Sequence, residues 1–256
     1  MTRVLKIGGR AQSDPTLTPT VRDAWRASPG GLCVIHGGGD EVSAMQRALG
    51  REAAFVGGRR VTSQGDLELL RMVLSGVINK RLVSTLVAAD LPAVGISGED
   101  AALISAEFID RPVLGYAGRP VGINTELLVS LMNSGYLPVV SPVAFNSESG
   151  VGGALNVNGD DAAAAIAAAI GASELIFIVD VEGVLDSDNR VLGNLTIEQA
   201  REMITNGTAA AGMAAKLESA QTALTNGVAS VRICALRGVS DPQCGTYLTQ
   251  SQSVAI

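Results

Sequence analysis

The stretch that decides the architecture of this chain is residues 32–49, which read LCVIHGGGDEVSAMQRAL. Residues 32–35 are typical of a strand, and residues 40–49 are typical of a helix. Between them, Gly37, Gly38 and Gly39 leave backbone N–H groups unshielded by Cβ, so an anion can approach them at the positive end of the helix. Glycines also serve tight turns and close packing, so the triplet alone leaves both interpretations open.

The alternation of strand and helix continues on both sides of this stretch. Apolar strand-like runs recur at residues 4–7, 32–35, 93–96, 137–140, 175–179 and 230–234. Segments with helical periodicity lie at residues 66–89, 125–134, 160–170 and 212–226. This order predicts an α/β fold in which helices cover both faces of a largely parallel sheet. Ligands are then expected at the carboxyl ends of the strands.

Composition and charge narrow the class of function. A chain of 256 residues can bury a sizeable core, as one large α/β domain or two tightly joined lobes. Hydrophobic residues make up 47% and aromatic residues 3%, which favours α/β layers over a β-sandwich. The formal net charge of -6 argues against non-specific binding to nucleic acid or to an anionic membrane. A small-molecule partner is therefore expected.

The three cysteines, Cys33, Cys234 and Cys244, are odd in number and have no ligand-like spacing, so neither a disulfide framework nor a zinc site is predicted. No apolar run reaches the roughly 20 residues of a membrane span, and no signal-like segment is recognised. Asp186 and Asp188 suggest a calcium loop, but Val191 stands where an EF-hand needs glycine. We expect a cytoplasmic protein without a metal site of its own.

Residues 36–39, HGGG, also match the oxyanion loop of α/β-hydrolase esterases. That alternative fails on the sequence, because the chain has no G-x-S-x-G elbow and His36 is its single histidine. A Ser-His-Asp triad would have no base. Neither the P-loop motif nor the G-x-G-x-x-G dinucleotide motif occurs.

Cations and amides suited to phosphoryl transfer flank the strand-like runs. Lys6 ends the first run, and Lys216 lies near the start of a helix, where the helix dipole disfavours a cation unless an anion binds nearby. An ordinary surface lysine explains Lys216 equally well. Asp160, in residues 156–160, NVNGD, is either a capping residue or a holder of the two lysines. Arg60 or Arg59 is a candidate clamp for a substrate carboxylate, and the sequence leaves that choice open.

Taken in order and at their spacing, eight segments resemble the acetylglutamate kinases of the amino-acid kinase family. They are residues 6–9 (KIGG), 36–39 (HGGG), 58–62 (GRRVT), 95–98 (GISG), 135–139 (GYLPV), 156–160 (NVNGD), 180–183 (DVEG) and 212–216 (GMAAK). The resemblance implies an αβα sandwich in two lobes. Residues 1–170 would bind the acyl-amino-acid and dimerise, and residues 171–256 would bind ATP.

The resemblance also implies the roles of individual residues. Lys6 and Lys216 would stabilise the transferring phosphoryl group, and Asp160 would orient them. Substrate binding is assigned to Gly9, Gly38, Gly39, Gly58, Arg60, Asn156 and Asn158. Nucleotide binding is assigned to Asp180, Val181, Glu182, Gly183, Val184, Leu185, Thr208, Ala209, Ala210, Gly212 and Met213. ATP would come with Mg²⁺ held mainly by its phosphates.

Three positions depart from the family pattern. Val179 stands where Ser or Thr is usual, Glu99 replaces a common Lys, and Gly159 replaces a usual Ala. Glu99 is expected to reduce positive charge near the substrate side, and Val179 puts one nucleotide contact in doubt. Arginine-inhibited members carry an extra N-terminal helix, whereas the first strand is predicted here from about Arg3. A homodimer that arginine does not inhibit is therefore expected.

The function that the resemblance implies is transfer of the γ-phosphoryl group of ATP to the side-chain carboxylate of N-acetyl-L-glutamate. The product would be N-acetyl-L-glutamyl 5-phosphate, in arginine biosynthesis. One alternative is a relative that acts on N-succinylglutamate or on carrier-bound aminoadipate. Another, from a different class, is a catalytically silent sensor of nucleotide or amino acid, which would be expected to lack one of Lys6, Lys216 and Asp160.

Overall fold

An eleven-stranded sheet forms the centre of the computed structural model, which describes residues 1–148, 153–209 and 211–250. Its strands are β1 (Arg3–Ile7), β2 (Leu32–His36), β5 (Ala93–Gly98), β6 (Ile104–Phe108), β7 (Ala117–Ile123), β8 (Leu137–Asn146), β9 (Ala154–Val157), β10 (Glu174–Ile178), β11 (Asn194–Thr196), β12 (Val231–Cys234) and β13 (Thr246–Thr249). A separate hairpin pairs β3 (Phe55–Val56) with β4 (Arg59–Arg60).

Helices connect most of these strands. They are α1 (Leu17–Ala27), α2 (Gly39–Ala48), α3 (Gln64–Leu70), α4 (Asn79–Val87), α5 (Arg111–Leu114), α6 (Thr125–Asn133), α7 (Gly159–Ala169), α8 (Ile197–Thr205) and α9 (Ala211–Thr225). A π-helix, Arg71–Ile78, joins α3 to α4, and three 3₁₀ turns lie at Arg10–Ser13, Asp100–Ala102 and Leu236–Val239. Among the described helices, none is both long enough and apolar enough to cross a bilayer.

The centre of the sheet is parallel. Strand β1 lies between β2 and β10, β12 extends the sheet beyond β10, and β8 extends it beyond β2, all in parallel register. The long β8 pairs with β5 along its first part and with β6 and β9 along its last part. Parallel neighbours end at the same edge, so the glycine-rich segments after β1 and β2 emerge side by side.

Alternating apolar side chains bury both faces of this sheet. Along β1, Val4 packs into the core cluster that includes the alanines of α7, whereas Leu5 packs into the cluster that includes Val21 of α1. The same alternation recurs along β2 and β10. Because α7 contributes mainly alanine, its backbone can approach both the sheet and α9 closely. The result is three layers, helix on sheet on helix.

The predicted fold class is confirmed, and all six strand-like runs are strands of the main sheet. The segment 66–89 is helical as predicted, although it is divided by the π-helix. Strands β6, β7, β9, β11 and β13, the hairpin strands β3 and β4, and helices α1, α5 and α8 were not predicted. Strand β7 illustrates why, since it contains two glycines and a proline, and most of its residues are only partly buried.

Candidate active site

Two cavities meet at the carboxyl edge of β1 and β2. The smaller, of about 220 Å³, is lined by Lys6, the glycines after β2 and the β3–β4 hairpin. The larger, of about 620 Å³, is lined by Lys216, the residues after β10 and the start of α9. Gly9 and Gly39 line both cavities, so they mark the point where the contents of the two cavities would meet. We call the smaller the acyl cavity and the larger the nucleotide cavity, after the ligands that the family resemblance implies for their lining residues.

A buried carboxylate holds one lysine from each cavity. Asp160 Oδ1 lies 2.6 Å from Lys6 Nζ, and Asp160 Oδ2 lies 3.4 Å from Lys216 Nζ. Asp160 reaches this position because Asn158 caps α7: its Oδ1 accepts from the Asp160 N–H at 2.8 Å, which starts the helix at the edge of the sheet. The structure therefore brings together the three residues predicted for catalysis.

The electrostatics of this cluster follow from its burial. Burial opposes ionisation of Asp160, but the two lysine ammonium groups outweigh it and hold the pKa of Asp160 below its ordinary value. Burial, opposed by Asp160, lowers the pKa of the Lys216 ammonium, and the charge of Lys6 lowers it further. Among the described residues, neither lysine forms an ion pair with a carboxylate other than Asp160. The two ammonium groups therefore share one negative charge. An added anion would restore the balance.

The glycine triplet is fixed by packing as well as by turn geometry. A Cβ on Gly38 would lie 2.2 Å from Ile78 Cδ1 and 2.8 Å from Leu74 Cδ2, so the π-helix presses directly on the loop. Helix α2 starts at Gly39, and the first N–H groups of a helix lack intrahelical partners. The loop is therefore closely packed, and it also presents a helix N-terminus to the cavities, as anion binding would require.

His36 serves this loop as a neutral side chain. Its Nδ1 lies 2.9 Å from the Gly37 carbonyl, and its Nε2 lies 3.1 Å from the side-chain nitrogen of Asn79. Burial lowers the pKa of His36 to about 4. The neutral ring then donates from Nδ1 to Gly37 and accepts at Nε2 from Asn79.

The structure separates the two candidate arginines. Arg60 is 8% exposed, and its guanidinium donates to three neutral acceptors: Gln46 Oε1 at 2.5 Å, Ser43 Oγ at 2.8 Å and the Gly39 carbonyl at 2.9 Å. Arg59 instead forms an ion pair with Asp161 at 2.6 Å. Among the described residues, Arg60 has no carboxylate within ion-pair distance, so a carboxylate ligand in the acyl cavity would meet a buried, uncompensated cation.

The other predicted substrate residues also line the acyl cavity: Gly9, Gly38, Gly39, Gly58, Asn156 and Asn158. The Asn156 side chain donates to Thr62 Oγ1 at 3.0 Å. Sequence reasoning missed Ser43 and Gln46, which hold Arg60. Their spacing of three residues on α2, just after the glycine triplet, is the signal that could have found them.

The predicted nucleotide residues divide into two groups. Asp180, Val181, Gly212 and Met213 line the nucleotide cavity together with Lys216. Glu182, Gly183, Val184 and Leu185 follow in the chain without lining it, Thr208 lines a separate cavity beside α8, and Ala209 is buried. Ala210 lies outside the described residues. Arg10, which was not predicted, lines the cavity and pairs with Asp180 at 2.7 Å.

The three departures from the family pattern have distinct surroundings. Glu99 lies 2.6 Å from an Arg71 guanidinium nitrogen, which neutralises its charge. A Cβ on Gly159 would lie 3.3 Å from Lys6 Cε, so an alanine there would press on the Lys6 side chain. Val179 is buried and also lines the nucleotide cavity.

Comparison with known proteins gives consistent findings. The model of the amino acid kinase family matches residues 1–235. Acetylglutamate kinase of Cereibacter sphaeroides is 39% identical over 97% of this chain and 88% of its own length, and that of Chloroflexus aurantiacus is 38% identical over 97% of both. Among solved structures, smu.665 from Streptococcus mutans UA159 superimposes with a TM-score of 0.87 at 27% identity, covering 98% of this chain and 99% of its own.

Proposed function

Since this chain belongs to the amino acid kinase family, we propose that it uses Lys6, Asp160 and Lys216 to move a phosphoryl group between its two cavities. The reaction transfers the γ-phosphoryl group of ATP to the side-chain carboxylate of N-acetyl-L-glutamate. It gives ADP and N-acetyl-L-glutamyl 5-phosphate, in arginine biosynthesis.

The observation that carries the proposed mechanism is the bridge between the lysines. Lys6 belongs to the acyl cavity and Lys216 to the nucleotide cavity, and Asp160 binds both. In phosphoryl transfer, negative charge spreads over the equatorial oxygens while the attacking and leaving oxygens lie roughly in line. One ammonium group from each cavity can therefore contact the transferring group from both sides, while Asp160 fixes their positions.

The acceptor needs no general base. A glutamate side-chain carboxylate has an ordinary pKa of about 4.3, so it is already ionised at neutral pH and can attack phosphorus directly. This agrees with the neutral, fully buried His36, which supports the glycine loop instead of reacting. Backbone N–H groups of Gly9, Gly38 and Gly39 would bind phosphoryl oxygens beside the lysines.

The acyl cavity accounts for the rest of the substrate. Arg60 is buried among neutral acceptors and would bind the α-carboxylate with its remaining N–H donors. Asn156 would bind the acetamido group, with Gly58 and Asn158 completing the wall. Arg60 and Lys6 would thus provide one cation for each of the two carboxylates of an N-acyl-glutamate.

The nucleotide cavity would hold MgATP. We assign Asp180, Val181, Gly212 and Met213 to its walls. Among the described residues, no three or more His, Cys, Asp or Glu side chains are grouped to hold a metal ion. Mg²⁺ would enter with ATP, held mainly by phosphate oxygens, and neutralise part of their charge.

We extend the proposal to the organisation of the protein. Residues 1–170 form the substrate lobe and residues 171–256 the nucleotide lobe, joined through the pairing of β1 with β10. A cytoplasmic homodimer is the proposed state. Exposed apolar side chains along the helical unit from α3 to α4, which are Met72, Val77 and Val87, support a partner surface there.

The test is a coupled assay of ADP release with N-acetyl-L-glutamate, N-succinyl-L-glutamate and no acceptor. Lys6→Met and Lys216→Met should each lower turnover about 10²-fold or more, the effect of removing one group that stabilises a transition state. Lys80→Met is the matched control, because Lys80 is the one other lysine of the chain and donates to the Gly95 carbonyl, away from both cavities. It should keep close to the wild-type rate.

Wild-type rates in both Lys6→Met and Lys216→Met would refute the mechanism. Faster turnover of N-succinyl-L-glutamate than of the acetyl compound would reassign the acyl group. If calorimetry found both ligands bound and no ADP formed, the chain would be a sensor and not a kinase.

A further inference from the structure

Three side chains tie the β3–β4 hairpin to the helices that carry the catalytic cluster. Arg59 Nη1 lies 2.6 Å from Asp161 Oδ2, and Ser219 Oγ donates to Asp161 Oδ1 at 2.7 Å. We name these residues the Arg59 bridge. We propose that the Arg59 bridge positions the cluster according to whether the acyl cavity is occupied, so that an acyl-glutamate and the nucleotide bind cooperatively. The inference rests on the proposed function and adds positioning residues to it.

The hairpin is positioned by its side chains and by the backbone just after it, where Thr62 forms hydrogen bonds with Leu114 and Tyr116. Each of its strands has two residues, and its turn places Gly57 and Gly58 at φ of 55° and 74°, the left-handed geometry of a tight hairpin turn. The hairpin lies outside the main sheet, and Phe55 and Val56 are exposed. A hairpin this short is not stable alone. Its orientation is therefore set by the backbone pairing of Thr62 and by what the side chains of β4 contact.

The two arginines of β4 fasten it in two directions. Successive side chains of a strand point to opposite faces. Arg60 contacts Ser43 and Gln46 of α2, whereas Arg59 contacts Asp161 of α7. Both arginines also line the acyl cavity. When a ligand pulls Arg60 or the hairpin toward itself, the ion pair of Arg59 with Asp161 must either move with the hairpin or break.

The far end of the bridge reaches the phosphoryl-transfer residues. Asp161 follows Asp160 in the first turn of α7, and Ser219 lies one turn after Lys216 in α9. Asp161 is only 19% exposed and Ser219 is buried, so solvent screens this link less than it screens a surface pair. The bridge thus joins the wall of the acyl cavity to both helices that hold the lysine cluster.

This connection predicts a measurable coupling. If an acyl-glutamate holds the hairpin closed, the Arg59 bridge holds α7 and α9 together and keeps Lys216 at the nucleotide cavity. Affinity for the nucleotide then rises, and the same factor must appear in the affinity for the acyl-glutamate when nucleotide is bound first. Breaking the bridge removes the coupling without removing either binding site.

Calorimetry measures the Kd for a non-hydrolysable ATP analogue in the presence of Mg²⁺, with and without saturating N-acetyl-L-glutamate. We expect the wild type to bind the analogue about 5-fold more tightly or better in the presence of the acyl-glutamate, the lower end of couplings between sites. In Arg59→Leu, Asp161→Asn and Ser219→Ala, the two Kd values should agree within about 2-fold. Arg119→Leu, which breaks the exposed pair of Arg119 with Glu107, should keep the wild-type ratio.

Ser219→Ala removes only a hydroxyl, so it keeps the test open if a charge variant fails to fold. Asp161 and Ser219 do not line the acyl cavity, so loss of coupling in Arg59→Leu alone would make Arg59 a direct ligand and overturn the proposal. Wild-type coupling in all three variants, or no coupling in the wild type, would also overturn it. Absence of ADP formation by the wild type with N-acetyl-L-glutamate is a separate result that refutes the proposed function.

Discussion

Replacing Asp160 with Asn tests the electrostatics of the site most directly. The substitution keeps the size of the side chain and removes the negative charge that Lys6 and Lys216 share. Asp160 and Lys6 are 4% and 6% exposed, so water cannot take over the role of the carboxylate. The variant should lose both stability and turnover, and bound nucleotide should restore part of the stability.

The magnitude follows from the two distances. At an effective dielectric constant of about 20, unit charges 2.6 Å and 3.4 Å apart attract by about 6 and about 5 kcal/mol. Desolvation of the charged groups, at several kcal/mol for each ion, offsets much of this attraction. Removing one partner from a buried ion pair costs about 3–5 kcal/mol net, because the remaining charge is left uncompensated. For a chain of this size, such a loss lowers the unfolding midpoint by about 6–20 °C.

The assay is thermal unfolding of wild type and Asp160→Asn, with and without Mg²⁺ and a non-hydrolysable ATP analogue. The difference in midpoint should narrow when the analogue binds, because its phosphates bring negative charge to the unpaired lysines. Asp23→Asn, at an exposed position of α1, is the matched control and should unfold like the wild type. This account of the cluster would be refuted if the unfolding free energy of ligand-free Asp160→Asn lay within about 1 kcal/mol of the wild-type value. It would also be refuted if the analogue did not narrow the difference in unfolding midpoint.

Three further results are expected. Between pH 7 and pH 4.5 the unfolded chain protonates its histidine at its ordinary pKa near 6.5, while His36 in the folded protein stays neutral until about pH 4. The free energy of unfolding should therefore fall by about 2 kcal/mol across this window, and urea unfolding of His36→Gln should show a correspondingly smaller loss. Gly38→Ala should lower the free energy of unfolding by about 1–3 kcal/mol, because the new Cβ meets Ile78 Cδ1. Ile78→Val lacks that atom, so the double variant should recover part of the loss. No recovery would show that the loss comes from the conformation of the loop and not from this contact. Arg60→Gln should raise the KM for N-acetyl-L-glutamate about 30-fold or more, since a buried charge pair contributes about 2 kcal/mol or more to binding. The KM for ATP should stay nearly unchanged. Equal changes in both KM values would contradict a role of Arg60 confined to the acyl cavity.

Much of the fold could be predicted because its central strands carry a local signal. Residues 4–7, 32–35 and 175–179 are continuous apolar runs, as expected for strands buried on both faces. Strands β6, β7 and β9 lie away from this centre and include glycine, proline or half-buried positions. Their parallel pairings join residues about 40 positions apart in the chain, for example Ser105 with Phe145. A local pattern carries no signal for such a partner.

The candidate site divides in the same way. The glycine triplet, the Asn158 cap and the presence of two lysines and one aspartate were visible in the sequence. The contact of Asp160 with both lysines was not, since Lys6, Asp160 and Lys216 are separated by more than fifty residues each and meet only where β1, α7 and α9 pack together. Arg59 and Arg60 are adjacent, and the structure distinguishes them by the pairing of Arg59 with Asp161 and by the neutral acceptors around Arg60.

For this protein, residue order by itself determined an α/β architecture, a glycine triplet after β2 and the presence of two lysines and an aspartate of the kind that phosphoryl transfer uses. These properties depend on hydrophobic periodicity, glycine and side-chain chemistry, all of which act over a few neighbouring residues. Tertiary structure decided which arginine remains uncompensated, why Gly38 must be glycine and how the two lysines share Asp160. Those properties depend on burial and on distances of a few ångströms between remote segments, which arise only when the layers pack.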